Sequence, residues 1–196
     1  MCGFPELEFC LTPMRAAERA TMFGTAMSPA PGNRGTSRLP ALGRRGGGWV
    51  VGQVLLIAAV LLSALAGRSW ARGYDIAAYT AGGALLGLGL LLLAAAGLEL
   101  GSSLTPLPAP RADRTLALKT TGPYALARHP MYGGGILITL GWTIVFASII
   151  GLAFTVALTL LLDLKARREE IWLTDRFAGY EAYRQQTRHK LLPFIY

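Results

Sequence analysis

The sequence predicts an all-α integral membrane protein. It should have about four transmembrane helices, two spans plus a helical hairpin, followed by a C-terminal amphipathic helix. Three observations lead there. Charged residues make up only 15% of the chain and apolar residues 53%, against about a quarter charged in a soluble domain. The missing charge is concentrated in three apolar blocks, each long enough for a bilayer core. The 19 Lys and Arg lie mostly outside those blocks, so the net charge of +8 reads as a topology and headgroup signal, not a nucleic-acid one.

Residues 1–47 show no sustained periodicity. The stretch SPAPGNRGTSRLPALGRRGGG has too little apolar surface to offset its ordering entropy. A disordered, basic, Gly- and Pro-rich tail is expected there, ahead of a membrane domain over 48–196. The tail lacks the layout of a signal peptide, and Met14, Met22 and Met27 are alternative start sites. Cys2 and Cys10 both fall in it without partners at ligand spacing, so neither a metal site nor a disulfide framework is expected.

The first span is Trp49 to Gly67, WVVGQVLLIAAVLLSALAG. At about 1.5 Å per residue it covers roughly 28 Å, one hydrocarbon core. Gln53 is its one strongly polar member. RSWARGYD follows as a short turn, with Trp70 and Tyr74 at interfacial positions. The second span runs from about Ile76 to Leu98, and its GGALLGLG places small residues where helices approach closely. Packing alone explains those glycines.

Residues 101–132 form a polar, proline-rich loop, long enough to be either functional or disordered. The third block, Gly133 to Leu162, is too long for one straight span: about 45 Å as a single helix. It reads as two helices joined by a tight turn around Ser148 to Gly151, a hairpin not obliged to cross fully; one long tilted helix is the alternative. From Asp163 the chain is polar and helical. Phe177, Tyr180 and Tyr183 recur every third residue on one face, amid Lys165, Arg167, Arg168, Arg176, Arg184, Arg188 and Lys190. Such a helix should lie on the membrane surface or on the bundle. The basic residues of the 101–132 loop and of the tail place both on the cytoplasmic side of the plasma (inner) membrane, together with both termini.

The chemistry is concentrated in two places. GPYALARHPMYGGG, residues 122–135, gathers Tyr124, Arg128, His129 and Tyr132 between prolines that fix φ and glycines that permit close approach. Ionisable residues at a membrane edge are costly and so mark function, although anchoring a helix end to headgroups is the simpler alternative. LKARREEIWL carries Glu169 and Glu170, whose directions on a helix differ by about 100°. One is expected to face inward and the other to pair with Arg167, Arg168 or solvent. A hairpin returns its ends to one place, so the two clusters should meet in one pocket with cationic, aromatic and acidic walls.

GPYALARHPMYGG, a hairpin, and REEIWLTDRFAGYEAYRQQTRHKLLPF together resemble the isoprenylcysteine carboxyl methyltransferase and phospholipid methyltransferase superfamily. The shared features are Arg-His-Pro-x-Tyr, a Glu-Glu pair, and a Phe-x-x-Tyr-x-x-Tyr pattern, here Phe177, Tyr180 and Tyr183, ending near Pro193. The resemblance covers about residues 105–196, which it makes the cofactor-binding part. It implies S-adenosylmethionine as methyl donor. It also implies that Leu116, Ala117, Leu118, Lys119 and Tyr124 line the cofactor site, with His129, Pro130, Met131, Tyr132, Glu169 and Glu170. Arg128, His129 and Glu169 become the catalytic candidates, and Lys165 and Arg168 the acceptor-binding ones. Lys165 stands where relatives often carry arginine, and lysine gives no planar bidentate contact to a carboxylate. Arg167 or Arg168 is the alternative there.

The activity implied is methyl transfer to a lipophilic acceptor at the cytosolic membrane face, an isoprenylcysteine-like carboxylate or a phospholipid amine. A membrane sterol- or enone-type reductase using NADPH, or a membrane protein without enzymatic activity, are the competing readings. No extra basic pair dedicated to a 2′-phosphate is evident, and the acidic pair favours the methyl donor.

Overall fold

The computed structural model describes residues 47–67, 70, 73–101 and 118–192. Residues 1–46 of the tail, Leu116, Ala117 and Pro193 lie outside the described residues. Every regular element among those described is helical. The helices are α1 (Gly47–Leu62, extended by a 3₁₀ turn Ser63–Ala66), α2 (Asp75–Leu100), α3 (Pro123–Leu126), α4 (Pro130–Val145), α5 (Ile149–Arg176) and α6 (Tyr180–Gln186).

Three of these are long and apolar enough to cross a membrane: Gly47–Ala66, Asp75–Leu100 and Ile149–Arg176. Large apolar side chains on them stay exposed, among them Leu55, Leu65, Leu91, Leu98, Ile149 and Leu160. A soluble protein would hide such a surface, and lipid replaces water around it. The chain is an all-α integral membrane protein.

The hairpin lies between the first two spans, with α2 packed on α4 and α1 on α5. The α2–α4 contact is built on glycine. Gly82 lies against the Gly141 carbonyl, and Gly89 against that of Gly134; a Cβ on Gly82 or Gly89 would stand 2.9 or 2.7 Å from those oxygens. Seven residues separate the two glycines on each helix, so both pairs fall on one seam. Gly83 and Gly87 of the same stretch touch nothing within 4 Å.

The hairpin turn is Phe146 to Ser148, slightly earlier than the sequence suggests. Ala147 takes φ +47°, and Ser148 caps α5 by accepting from the Gly151 amide at 3.0 Å. The turn reaches the far end of α1: Ser148 Oγ donates to the Ser63 carbonyl at 3.0 Å. Trp70 Nε1 donates to the Ile144 carbonyl at 2.7 Å, an acceptor near the end of α4 that it shares with the Ala147 amide at 3.2 Å. Although α4 is only about 24 Å long, the hairpin therefore goes as deep as the first span.

Three expectations for the C-terminal part need correcting. No boundary falls at Asp163, because α5 runs unbroken to Arg176. No proline interrupts it, and LKARREE consists of strong helix formers. Phe177 is in extended conformation beyond that helix, so it does not share a helical face with Tyr180 and Tyr183. Those two lie on the short α6, both buried, ring centroids 5.8 Å apart. Lys190 is not on a helix at all, and it is buried.

Candidate active site

The Arg-His-Pro corner is shaped by its backbone. Gly122, at φ +59°, admits the chain into α3, a single turn opening on Pro123. Ala127 is extended and fully buried. His129 then precedes α4 at φ −127°, ψ 61°, with Pro130 at the first helical position, where its missing N–H costs nothing. The corner aims its side chains at the last turns of α5.

There the two clusters meet. Tyr132 Oη donates to Glu169 Oε1 at 2.5 Å. Arg128 Nε donates to Glu170 Oε1 at 2.8 Å. The imidazole of His129 lies between both carboxylates, with Nδ1 3.6 Å from Glu169 Oε2 and Nε2 3.3 Å from Glu170 Oε1. Nε2 is buried, and among the described residues no contact to it, that of Glu170 included, has hydrogen-bonding geometry. The ring stacks on Tyr132 at 5.5 Å between centroids, 4° from parallel. Both Glu side chains therefore turn toward the corner. Glu170 is held by Arg128, and Arg167 is occupied with Asp163 at 2.7 Å.

Lys165 is 3% exposed. Its Nζ donates to Gln53 Oε1 of α1 at 3.0 Å and stands 5.0 Å from the Tyr132 ring centroid, within reach of a cation–π attraction. Arg168 is half-buried beside Glu169. Tyr124 is buried, and its carbonyl accepts from Tyr183 Oη at 2.6 Å. Burial, then the nearby Tyr183, Glu169 and Glu99, push the Tyr124 phenol well above its usual pKa. Burial also pushes the Tyr183 phenol up to about 12 and that of Tyr180 further. Pro130 is buried in the corner, Met131 is half-buried, and Leu118 and Lys119 form the half-buried approach to α3.

Several participants were not singled out from the sequence as site residues. Gln53 carried a signal, as the one strongly polar residue of its span. Glu99, at the end of α2, accepts from Thr121 Oγ1 at 2.6 Å. The segment 187–192 gave no comparable signal, yet it grips the corner. Arg128 Nη1 donates to the Thr187 and Arg188 carbonyls at 2.8 and 2.9 Å. The amides of Arg128 and His129 donate to the His189 and Lys190 carbonyls at 3.0 and 2.8 Å.

Fold and site together define an integral membrane protein that draws its ionisable side chains to one end of a helical bundle. The family model of the phospholipid methyltransferases matches residues 77–179, just over half the chain, spanning α2, the corner, the hairpin and both glutamates. The chain belongs to the phospholipid methyltransferase family and is, at that level, a membrane methyltransferase. No curated protein sequence matches it.

Proposed function

We propose that the protein transfers a methyl group from S-adenosylmethionine to a lipophilic acceptor at the cytosolic face of the membrane. The observation that carries this reading is the closure of the Arg-His-Pro corner on the acidic pair, with Tyr132 on Glu169 and Arg128 on Glu170. The residues suit the donor. Carboxylates accept from an ammonium group or ribose hydroxyls, and tyrosine faces attract a cation. Among the described residues the buried Oη of Tyr180 has no hydrogen-bond partner, and a buried polar atom of this kind calls for one.

When bound, the donor supplies an electrophilic methyl on a sulfonium. The chain's own residues do the rest. Glu169, oriented by Tyr132, and Glu170, oriented by Arg128, would hold polar groups of the cofactor, and Tyr124, Leu118 and Lys119 would help to line its site. Lys165, fixed by Gln53, would attract an anionic group of the acceptor, with Arg168 nearby. The apolar helices exclude water, which favours a displacement governed by positioning. A carboxylate acceptor needs no base. An amine acceptor must lose a proton, and His129 between two carboxylates would accept it.

Thermal unfolding of the purified protein in detergent tests the reading. S-Adenosylhomocysteine should raise the melting temperature, NADPH should not, and Glu169→Gln should abolish the rise. A rise with NADPH alone, or a full rise in the variant, would refute it.

A further inference from the structure

We propose that Lys190 is a positioning residue: its buried ion pair with Asp163 holds the segment 187–192 against the corner and so sets the conformation of His129. The consequence for catalysis rests on the methyltransferase reading above; the mechanical role does not.

His129 is the residue directly before α4, at φ −127° and ψ 61°. The amides of Arg128 and His129 precede α4, where no helical carbonyl is available to them. The His189 and Lys190 carbonyls take both. Just beyond, Leu191 is buried in the core cluster with Ile136, Leu158, Leu162 and Ala166. Its carbonyl packs so closely on Gly133 that a Cβ there would collide.

Lys190 does two jobs in this arrangement. Its carbonyl grips the His129 amide, and its side chain anchors that carbonyl. Nζ reaches Asp163 Oδ1 at 2.5 Å and the Asp163 carbonyl at 3.3 Å, on α5 one turn and a half before Glu169. With the side chain of Lys190 only 9% exposed, an unmatched ammonium would be driven toward water. Remove the Asp163 charge and the burial of the ammonium becomes a penalty; remove the ammonium and Asp163 keeps Arg167 at 2.7 Å but no longer ties the segment to α5. The segment then lifts at the residue whose carbonyl holds His129. The contacts described for this segment reach α3, α4, α5 and the corner, not the α2–α4 glycine seam, so the bundle should survive its loosening.

The test uses the full chain in lipid nanodiscs, with Lys190→Met, which keeps the apolar stem and removes the ammonium. Hydrogen exchange at the Arg128 and His129 amides should quicken by about tenfold or more while α2 stays protected. The dissociation constant for S-adenosylhomocysteine should rise on the order of tenfold. Lys190→Arg should restore both, and Asp163→Asn should reproduce the loss; if Lys190→Met does not fold, Asp163→Asn carries the test. Unchanged exchange at the two amides, or loosening shared equally by α2, would overturn the proposal. If the wild-type protein binds no S-adenosylhomocysteine, the methyltransferase reading falls, and amide exchange still judges the role of Lys190.

Discussion

Tyr132 and Glu169 are 37 positions apart in the chain, and the phenol of one donates to the carboxylate of the other at 2.5 Å. The contact joins the two ends of the hairpin. Glu169 is 17% exposed in its side chain, so its oxygen has little water to fall back on. Tyr132→Phe should cost roughly 1–3 kcal/mol in stability. It should also shrink the thermal shift given by S-adenosylhomocysteine. An unchanged shift would mean that Tyr132 does not orient Glu169 for the cofactor.

Arg128 serves three acceptors, Glu170 through Nε and two carbonyls through Nη1. A lysine keeps the charge without the fork. Arg128→Lys should therefore lose about 2 kcal/mol, as carbonyls of the 187–192 segment go without a donor. Chemical unfolding in mixed micelles measures this. A variant as stable as wild type would show that charge alone secures the corner.

The glycine seam separates two kinds of glycine. A Cβ at Gly134 would lie 2.9 Å from the Gly89 carbonyl and 3.0 Å from the Leu93 amide. Backbone cannot step aside cheaply, so Gly134→Ala should cost about 1–3 kcal/mol. Gly83, on the same helix as Gly89, has open space. Gly83→Ala should be neutral or stabilise by up to about 1 kcal/mol. Equal effects at both positions would contradict the packing.

Alkaline stability should follow the buried tyrosines. The Tyr183 phenol is pushed up to about 12 by burial, against about 10 when unfolded. The folded state thus holds its proton more tightly. The associated stability is complete below pH 10 and is lost as pH rises from about 10 through 12. Tyr124 and Tyr180 shift the same way. The melting temperature should fall across that window, and Tyr183→Phe should reduce the fall. A drop that begins below pH 9 would point to other groups.

Sequence alone determined the membrane class, the two early spans, the hairpin and the two polar clusters. These are local properties: runs of Leu and Ala define a span wherever it packs, and Arg-His-Pro followed by glycines marks a corner because proline and glycine restrict or free their own backbone. The assignment of the GGALLGLG glycines to packing was also legible, though not which of them face a neighbour. The tertiary structure decided what required partners distant in the chain. It seated the hairpin between the spans, gave Glu170 to Arg128 and Lys165 to Gln53, and continued α5 past the polar boundary at Asp163. It also folded Thr187 to Leu191 back over the corner and buried Lys190 on Asp163. A lysine in a polar tail looks the same in sequence whether water or an aspartate receives it. Only the approach of α5 to the returning chain chose between them.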